Sequence, residues 1–402
     1  MTRACASIKA EENTAPRRVT ILGSTGSVGT QTIDLISREP EKYQVVALSA
    51  NTNVKLLVEQ ARLLKPQCVV ISDDTKYAET KEALSDTNIT VAAGAESVVD
   101  AAEMDSDWVM AAIVGAAGLP STLAAARRGI KVAFANKETL VCAGPLMMDL
   151  VTRYGCTLLP VDSEHNAIYQ VFDADRRDRI ARLIVTASGG PFRTKTREEM
   201  AVMTPEQAGK HPVWTMGAKI SIDSATLMNK TLEVIEAAHL FQMPSEQIDV
   251  LVHPQSVVHS MVEYEDGSTL AQLGSPDMRI PIGYCLAWPD RMETPAPKLD
   301  LSKIGQLTFE SPDPEKFPAL RLGREALKQG GTAPALLNAA NEIAVQAFLD
   351  EKIGFLDIEK VIEATLLHGP VAQLTDLDVL YEADIDARRF AATQVQQISS
   401  KN

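Results

Sequence analysis

Between Arg18 and Tyr154 the apolar positions alternate between two rhythms. Short β-branched runs such as Arg18-Val19-Thr20-Ile21-Leu22 and Val45-Val46-Ala47-Leu48 read as strands, and the stretch between them places Thr32, Ile33, Leu35 and Ile36 at helical spacing. The alternation continues: a helix over 54–64, a strand over 68–71, a helix around 76–84, a strand near 89–92, a buried strand over 108–115, a helix over 119–128, a strand over 131–135 and a helix over 146–154, ahead of the apolar run 158–161. Strands that alternate with helices form βαβ units and a parallel sheet, so this half predicts a Rossmann-like domain.

Beyond Asn166 the rhythm changes. Strands are expected over 183–187, 248–252, 255–264 and 269–273, with Asp266-Gly267 as a hairpin turn, which describes an α+β domain. Prolines 289, 295, 297, 312, 314 and 318 mark a stiff connection. Helical spacing returns over 320–328, 334–349, 358–367 and 385–398, predicting a terminal bundle. The expected fold class is therefore α/β, divided into a disordered leader (1–17), a Rossmann-like domain (18–161), an α+β domain (162–290), a linker (291–319) and a helical domain (320–402).

Composition narrows the function. The 402 residues carry a formal net charge of −14 and no strongly basic segment, which argues against nucleic acid or an anionic membrane as partner. A phosphate ligand must then be held by a local cluster of donors. The five cysteines are scattered without CxxC pairs and read as reduced thiols in a cytosol-like compartment, with neither zinc nor disulfides implied. No apolar run reaches membrane-spanning length, and the leader lacks an apolar signal core. A cytoplasmic protein is expected.

Candidate chemistry sits where these elements end. Gly23-Ser24-Thr25-Gly26-Ser27-Val28-Gly29 joins the first strand to the first helix, as a pyrophosphate-binding turn does; a glycine turn without ligand is the alternative. No acid follows the second strand at Asn51-Thr52-Asn53, which leans towards NADP(H), although no arginine stands there and Lys55 is the nearest cation. Asn136-Lys137-Glu138 follows a strand at the sheet's ligand-binding edge; Asn136 as a helix cap beside a surface lysine is the competing reading. Leu158-Leu159-Pro160-Val161 runs into Asp162-Ser163-Glu164-His165-Asn166. On an extended backbone Asp162 and Glu164 share a face and suit a hard divalent cation, whereas a solvated loop with a helix cap is the plain alternative. Ser188-Gly189-Gly190-Pro191 is an anion-binding turn or a simple turn. Residues 209–217, with His211, Trp214 and Met216 between two glycines, read as a closing lid or as packed surface structure. On the helix that follows, Asn229, Lys230 and Glu233 share one face, either as an exposed salt-bridged face or as phosphate recognition beside a third carboxylate.

These motifs, together with His253-Pro254-Gln255-Ser256 and Leu337-Asn338-Ala339-Ala340-Asn341-Glu342, occur in an order that closely resembles the 1-deoxy-D-xylulose 5-phosphate reductoisomerase family from about Arg18 to the last helices. The resemblance implies rearrangement of a linear ketose phosphate to a branched aldehyde and its reduction with NADPH to 2-C-methyl-D-erythritol 4-phosphate, in non-mevalonate isoprenoid synthesis. It implies Mg²⁺ or Mn²⁺ on Asp162, Glu164 and Glu233, with Co²⁺ a third candidate. Substrate contacts fall on Lys137, Ser163, Glu164, Ser188, His211, Ser224, Asn229, Lys230 and Glu233, with Lys137 and the three acids as the catalytic group. Ser188, Ser224, Asn229 and Lys230 are implied to hold the phosphate. Cofactor contacts fall on Thr25, Gly26, Ser27, Val28, Asn136, Glu138 and Gly217, with Asn51, Thr52 and Asn53 near the ribose. A homodimer paired through the central domain's sheet is implied as well. A simple NAD(P) dehydrogenase and a non-catalytic dinucleotide sensor are the competing functions; neither needs a three-carboxylate metal site.

Overall fold

The computed structural model describes residues 15–214, 216–368 and 371–400. Most of the expected leader lies outside the described residues, and its last member, Arg17, already begins the first strand. Seven strands form the first sheet: β1 (Arg17–Leu22), β2 (Tyr43–Ala50), β3 (Cys68–Ile71), β4 (Thr90–Ala93), β5 (Trp108–Ala111), β6 (Lys131–Phe134) and β7 (Thr157–Pro160). Their order is β4-β3-β2-β1-β5-β6-β7, and the pairs β1/β2, β2/β3, β3/β4 and β6/β7 are parallel. The order runs outward on either side of the β1/β5 pair, as in doubly wound dinucleotide-binding sheets. All four residues of β3 and of β5 are buried, as expected where helices cover both faces of a parallel sheet.

The glycine turn shows why its residues are small. Gly23 has φ +83° and donates its N–H to Ser49 Oγ at 3.0 Å, while the Ser24 N–H bonds Ser49 O at 2.7 Å. Gln60 then pins Ser24 from both ends: Ser24 Oγ donates to Gln60 Oε1 at 2.7 Å, and Gln60 Nε2 donates to Ser24 O at 2.9 Å. A Cβ on Gly29 would lie 2.3 Å from Gly23 O and 2.5 Å from Ser24 Cα, so the Ser27–Arg38 helix approaches the turn only with glycine there.

The second sheet has the order β11-β10-β8-β9, built from β8 (Ile180–Ala187), β9 (Ile248–Val252), β10 (Val258–Tyr264) and β11 (Thr269–Leu273). β10 runs antiparallel to β8 and β11, whereas β8 and β9 are parallel. Four long helices close the chain: Ala319–Gln329, Ala333–Leu349, Asp357–Leu366 and Leu377–Ser399. By compactness the chain divides into two units, Met1–Val109 and Met110–Asn402.

Several expected bounds shift for local reasons. β10 starts at Val258 instead of residue 255, because Ser256 adopts φ +49° and breaks the extended run. β5 ends at Ala111, ahead of Gly115 at φ +74°. The expected 146–154 helix begins earlier, at Lys137, and runs to Tyr154 with a kink at Ala143 where Pro145 interrupts the ladder. The proline-rich connection is not structureless: it holds a short helix, Leu301–Ile304, and Glu310 bridges to Val252 of β9.

Gly29→Ala tests the turn. The added methyl meets backbone atoms that have no rotamer to yield, so a loss of roughly 1–3 kcal/mol is expected. A urea unfolding midpoint equal to wild type would contradict the close packing.

Candidate active site

Three element ends in the second unit build one cluster. Asn136 follows β6 and precedes the Lys137–Tyr154 helix, whose first residue is Lys137. Asp162 follows β7 and caps the Ser163–Val171 helix, its Oδ1 accepting the Glu164 N–H at 3.3 Å. The third piece is the Met228–Leu240 helix, entered through Leu227 at φ +60°, which carries Asn229, Lys230 and Glu233.

The expectation that Asp162 and Glu164 share a face of an extended strand is corrected here. Glu164 lies in the first helical turn, because the Asp162 carboxylate satisfies a free N–H there and so favours the helix. The cap and the carboxylate cluster are one arrangement instead of alternatives. Ligand oxygens of Asp162, Glu164 and Glu233 lie within 4.8 Å of one another.

Ammonium groups thread these acids. Lys137 Nζ lies 2.6 Å from Asp162 Oδ2 and 3.2 Å from Glu233 Oε1, and donates to Asn229 Oδ1 at 2.9 Å. Lys230 Nζ lies 2.9 Å from Glu164 Oε1 and also contacts Glu233 Oε2. Asn229 Nδ2 donates to Glu233 Oε1 at 2.6 Å, and Ser163 Oγ donates to Glu164 Oε2 at 2.5 Å. The Asn229–Lys230–Glu233 face is thus salt-bridged but not exposed: Glu233 is 1% exposed and Lys230 4%. Lys137, read alternatively as a surface lysine, has a side chain only 12% exposed.

Burial alone would raise Asp162, but the Lys137 charge beside it holds its carboxyl well below the usual range. Glu164 moves the other way, raised by burial and by the Glu233 charge. Burial works against the charge on Lys137 and Lys230, yet the surrounding carboxylates outweigh it and keep both above the ordinary lysine value. Glu236, one turn beyond Glu233, is pushed up to about 7 by burial.

A second group forms around Ser188, which follows β8. Gly189 and Gly190 both take positive φ, +84° and +65°, and a Cβ on Gly190 would lie 2.5 Å from Ser224 O. That approach sets the Ser188 turn against the Ala218–Ala225 helix, which bears Ser224. His211 Nδ1 accepts backbone N–H bonds from Val213 at 3.2 Å and Trp214 at 2.8 Å. Its proton must therefore sit on Nε2, which lies 2.9 Å from Ser188 Oγ. Ser188 Oγ also accepts from Gly190 N–H at 3.2 Å, so its own hydrogen points elsewhere. Trp214 packs near His259, with ring centroids 6.5 Å apart. Neither bounding glycine of the 209–217 segment has positive φ, and Thr215 lies outside the described residues. Of the four residues expected to share a phosphate, Ser188 pairs with His211, whereas Asn229 and Lys230 pair with Glu233.

Among the expected cofactor contacts, Gly26 and Ser27 are exposed at the start of their helix and Thr25 and Val28 are half-buried. Asn51, Thr52 and Asn53 are exposed, but Asn53 is committed as a helix cap, accepting the Leu56 N–H at 3.2 Å. Asn136 does not cap its helix: its Nδ2 donates to Gly115 O at 3.1 Å, and its buried Oδ1 has no hydrogen-bond partner among the described residues. Glu138 is buried, 3.9 Å from Lys219 Nζ, which pairs with Asp223 at 2.7 Å. Gly217 caps the Ala218–Ala225 helix, with nothing within 4 Å of where its Cβ would be.

Sequence reasoning passed over His165 and Glu236, both buried behind the carboxylates, and the Lys219–Asp223 pair beside Glu138. The spacing of Glu236 three residues after Glu233 was a readable signal for the first of these. The second was readable as an i,i+4 pair on one helix, and only its place beside Glu138 had no local signal.

His211 gives a pH prediction. Burial holds its imidazole below the ordinary value of 6.5, and the two N–H donors at Nδ1 oppose a second proton. With the folded value below the unfolded one, the unfolded chain takes up the proton first; stability is kept above about pH 6.5 and lost as pH falls from there to the folded value. Nitrogen-15 shifts should report the neutral Nε2–H tautomer at mildly alkaline pH and a titration below that of a free histidine. An Nδ1–H tautomer would overturn the assignment.

Models of known families match the chain in three stretches: 1-deoxy-D-xylulose 5-phosphate reductoisomerase over residues 19–144, the C-terminal domain model of the same enzyme over 158–241, and the DXP reductoisomerase C-terminal domain over 273–390. The Rhodospirillum centenum protein named 1-deoxy-D-xylulose 5-phosphate reductoisomerase is 65% identical over 94% of this chain and 94% of its own length. That of Zymomonas mobilis is 59% identical over 95% and 99%. A solved structure of the Zymomonas mobilis enzyme in complex with NADPH superposes with a TM-score of 0.91 at 58% identity, covering 94% of this chain and 99% of that one. A second, described as DOX-P reductoisomerase in complex with NADPH, fosmidomycin and magnesium, gives 0.89 at 42% identity, covering 94% and 98%. Identity at this level along nearly the whole length of both partners, with the same fold throughout, leaves one conclusion: the chain belongs to the 1-deoxy-D-xylulose 5-phosphate reductoisomerase family.

Proposed function

We propose that the protein rearranges 1-deoxy-D-xylulose 5-phosphate to a branched aldehyde and reduces it with NADPH to 2-C-methyl-D-erythritol 4-phosphate, with a divalent cation held by Asp162, Glu164 and Glu233. The observation that carries this reading is the group of three carboxylates on two helices, Glu233 buried and Asp162 and Glu164 largely so, braced by Lys137, Lys230 and Asn229. A simple dehydrogenase or a dinucleotide sensor has no use for it.

The residues fit both groups. An all-oxygen ligand set with ligating atoms within 4.8 Å suits Mg²⁺, Mn²⁺ or Co²⁺, and its three carboxyl groups face only two ammonium groups. For NADPH, the glycine turn lets a pyrophosphate approach the backbone, and the partnerless Asn136 Oδ1 is an acceptor for a carboxamide. When bound, the cation supplies Lewis-acid polarisation of two substrate oxygens and NADPH supplies the hydride.

The chain's own groups do the rest. Lys137, first residue of its helix, donates hydrogen bonds from an ammonium already aimed at the carboxylate group, and so orients a substrate hydroxyl beside it. Ser188 offers the hydrogen left free by its two incoming bonds to the substrate phosphate. Ser224, Asn229 and Lys230 complete that end, with His211 holding Ser188 in place; binding energy gained there, remote from the reacting carbons, serves orientation. Trp214 and Met216 cover the substrate and exclude water. Thr25 to Val28, Asn51 to Asn53, Asn136, Glu138 and Gly217 serve NADPH.

In this reading residues 18–161 are the cofactor-binding part, 162–290 the catalytic part, 291–319 the connection and 320–402 a helical domain. Two chains pair through the second sheet, where edge strand β11 is exposed from Thr269 to Ala271, with Leu270 at 49%. Among the described residues no helix is long and apolar enough to cross a membrane, and we place the enzyme in the cytoplasm.

NADPH oxidation with the ketose phosphate should require added Mg²⁺ or Mn²⁺ and stop with chelator; full turnover in chelator sinks the metal role. Glu233→Gln should cut turnover by more than about tenfold at limiting metal while NADPH binding, followed by its fluorescence, is kept. Side-by-side kinetics should favour NADPH over NADH despite Asn51-Thr52-Asn53, and equal kcat/KM would reject that preference.

A further inference from the structure

Behind the carboxylate group lie two fully buried side chains that the proposed chemistry does not use. His165 is 0% exposed and Glu236 1%. His165 Nε2 is 2.9 Å from the backbone carbonyl oxygen of Glu233. A carbonyl only accepts, so Nε2 carries the hydrogen and donates it. That turns Nδ1 towards Glu236 Oε2 at 3.3 Å and Asp162 Oδ1 at 3.7 Å. Neither Nδ1 nor Glu236 Oε2 has another hydrogen-bond partner among the described residues, and a single hydrogen between them satisfies both. Phe241 stacks on the imidazole at 6.4 Å with an interplanar angle of 25°, and Phe172 packs on Phe241 at 5.2 Å, which fixes the ring plane.

The connectivity is informative. Glu236 and the Glu233 carbonyl belong to the Met228–Leu240 helix, whereas His165 belongs to the Ser163–Val171 helix capped by Asp162. The imidazole is therefore a strut with both ends tied to one helix and its root in the other. The same two helices, with the Asp162 cap, carry all three proposed cation ligands. Like charges on facing helix starts push them apart, and a strut behind them resists that.

We infer that Glu236 and His165 form a positioning pair that fixes the separation of the two helices bearing Asp162, Glu164 and Glu233, and so presets the cation site. The inference rests on the metal-dependent reading proposed above. Neither residue is a ligand in it; they act through the backbone and through the orientation of Asp162, as outer-shell partners of metal sites do.

The test uses the full-length protein and Mn²⁺ binding, read from the electron paramagnetic resonance of free Mn²⁺. Glu236→Leu keeps the bulk and loses the bond, whereas Glu236→Gln offers an amide N–H to Nδ1. Glu236→Leu should weaken Mn²⁺ binding about 10- to 100-fold, with NADPH binding unchanged and kcat largely regained at saturating Mn²⁺. Glu236→Gln should stay within about threefold of wild type. Folded Glu236→Leu with wild-type Mn²⁺ affinity overturns the inference, and so does Glu236→Gln as weak as Glu236→Leu, which would assign Glu236 to the cation's charge and not to bracing. If Glu236→Leu does not fold, His165→Gln keeps the donor to the Glu233 carbonyl but drops the Glu236 bond, and it should show the same weakening; wild-type affinity there is equally fatal. A wild-type enzyme that binds no Mn²⁺ and turns over in chelator defeats the metal reading itself. A metal-dependent wild type with unaffected variants defeats only the positioning pair.

Discussion

Lys137 and Lys230 make the centre of this protein possible. Gathering Asp162 and Glu164 around the buried Glu233 costs hydration and adds their mutual repulsion, and a buried carboxylate left unpaired would cost several kcal/mol. The two ammonium groups answer both costs, Lys137 between Asp162 and Glu233, Lys230 between Glu164 and Glu233. Such a cluster is not a source of stability, since apolar packing of similar volume would serve the fold as well or better. Its retention in a buried place points to chemistry, and the surrounding structure is arranged to deliver it.

That delivery relies on element ends. Asn136 and Lys137 come within three residues of the end of β6, and Asp162 two residues after β7, two neighbouring parallel strands. The register between them is held by Val161 N–H on Phe134 O at 2.9 Å, and Pro160 O is gripped by Asn166 Nδ2 at 2.9 Å and by Cys285 Sγ at 3.2 Å. The turn that carries Asp162 thus begins from a backbone with little freedom, as preorganisation of charged groups requires. Gly144 contributes from the other side: a Cβ there would lie 2.4 Å from the His239 ring, so only glycine lets the Lys137–Tyr154 helix lie this close to the Met228–Leu240 helix.

The carboxylate group and the Ser188–His211 pair draw on different parts of the second unit, yet the Met228–Leu240 helix and its approach serve both. Ser224 sits at the end of the helix before it, under Gly190, while Lys230 and Glu233 face the acids. Consecutive helices thus hold Ser224 at the Ser188 turn and Lys230 at the acids, the arrangement on which the proposed anchoring of a phosphate near a cation rests.

The alternation of strand and helix, the βαβ opening and the carboxylates Asp162, Glu164 and Glu233 could all be found in the amino-acid order, because periodicity, glycine spacing and motif order are local properties. Strand β3 (Cys68–Ile71) and the Val54–Leu64 helix fall where the pattern puts them. Where the reading went astray, a tertiary contact or cap overrode the pattern. Glu164 is helical because Asp162 caps the turn, and the alternative reading of Asn136 as a helix cap fails because its amide bonds Gly115 O instead. Most of all, no run of residues announces that Glu236 stands behind His165 or that Lys137 reaches Glu233 across ninety-six positions. The sequence by itself determined the elements and the chemical types at their ends. Which charges face one another, which are buried, and which share a hydrogen were decided by packing, since Coulomb and desolvation energies depend on distances that only the folded chain sets.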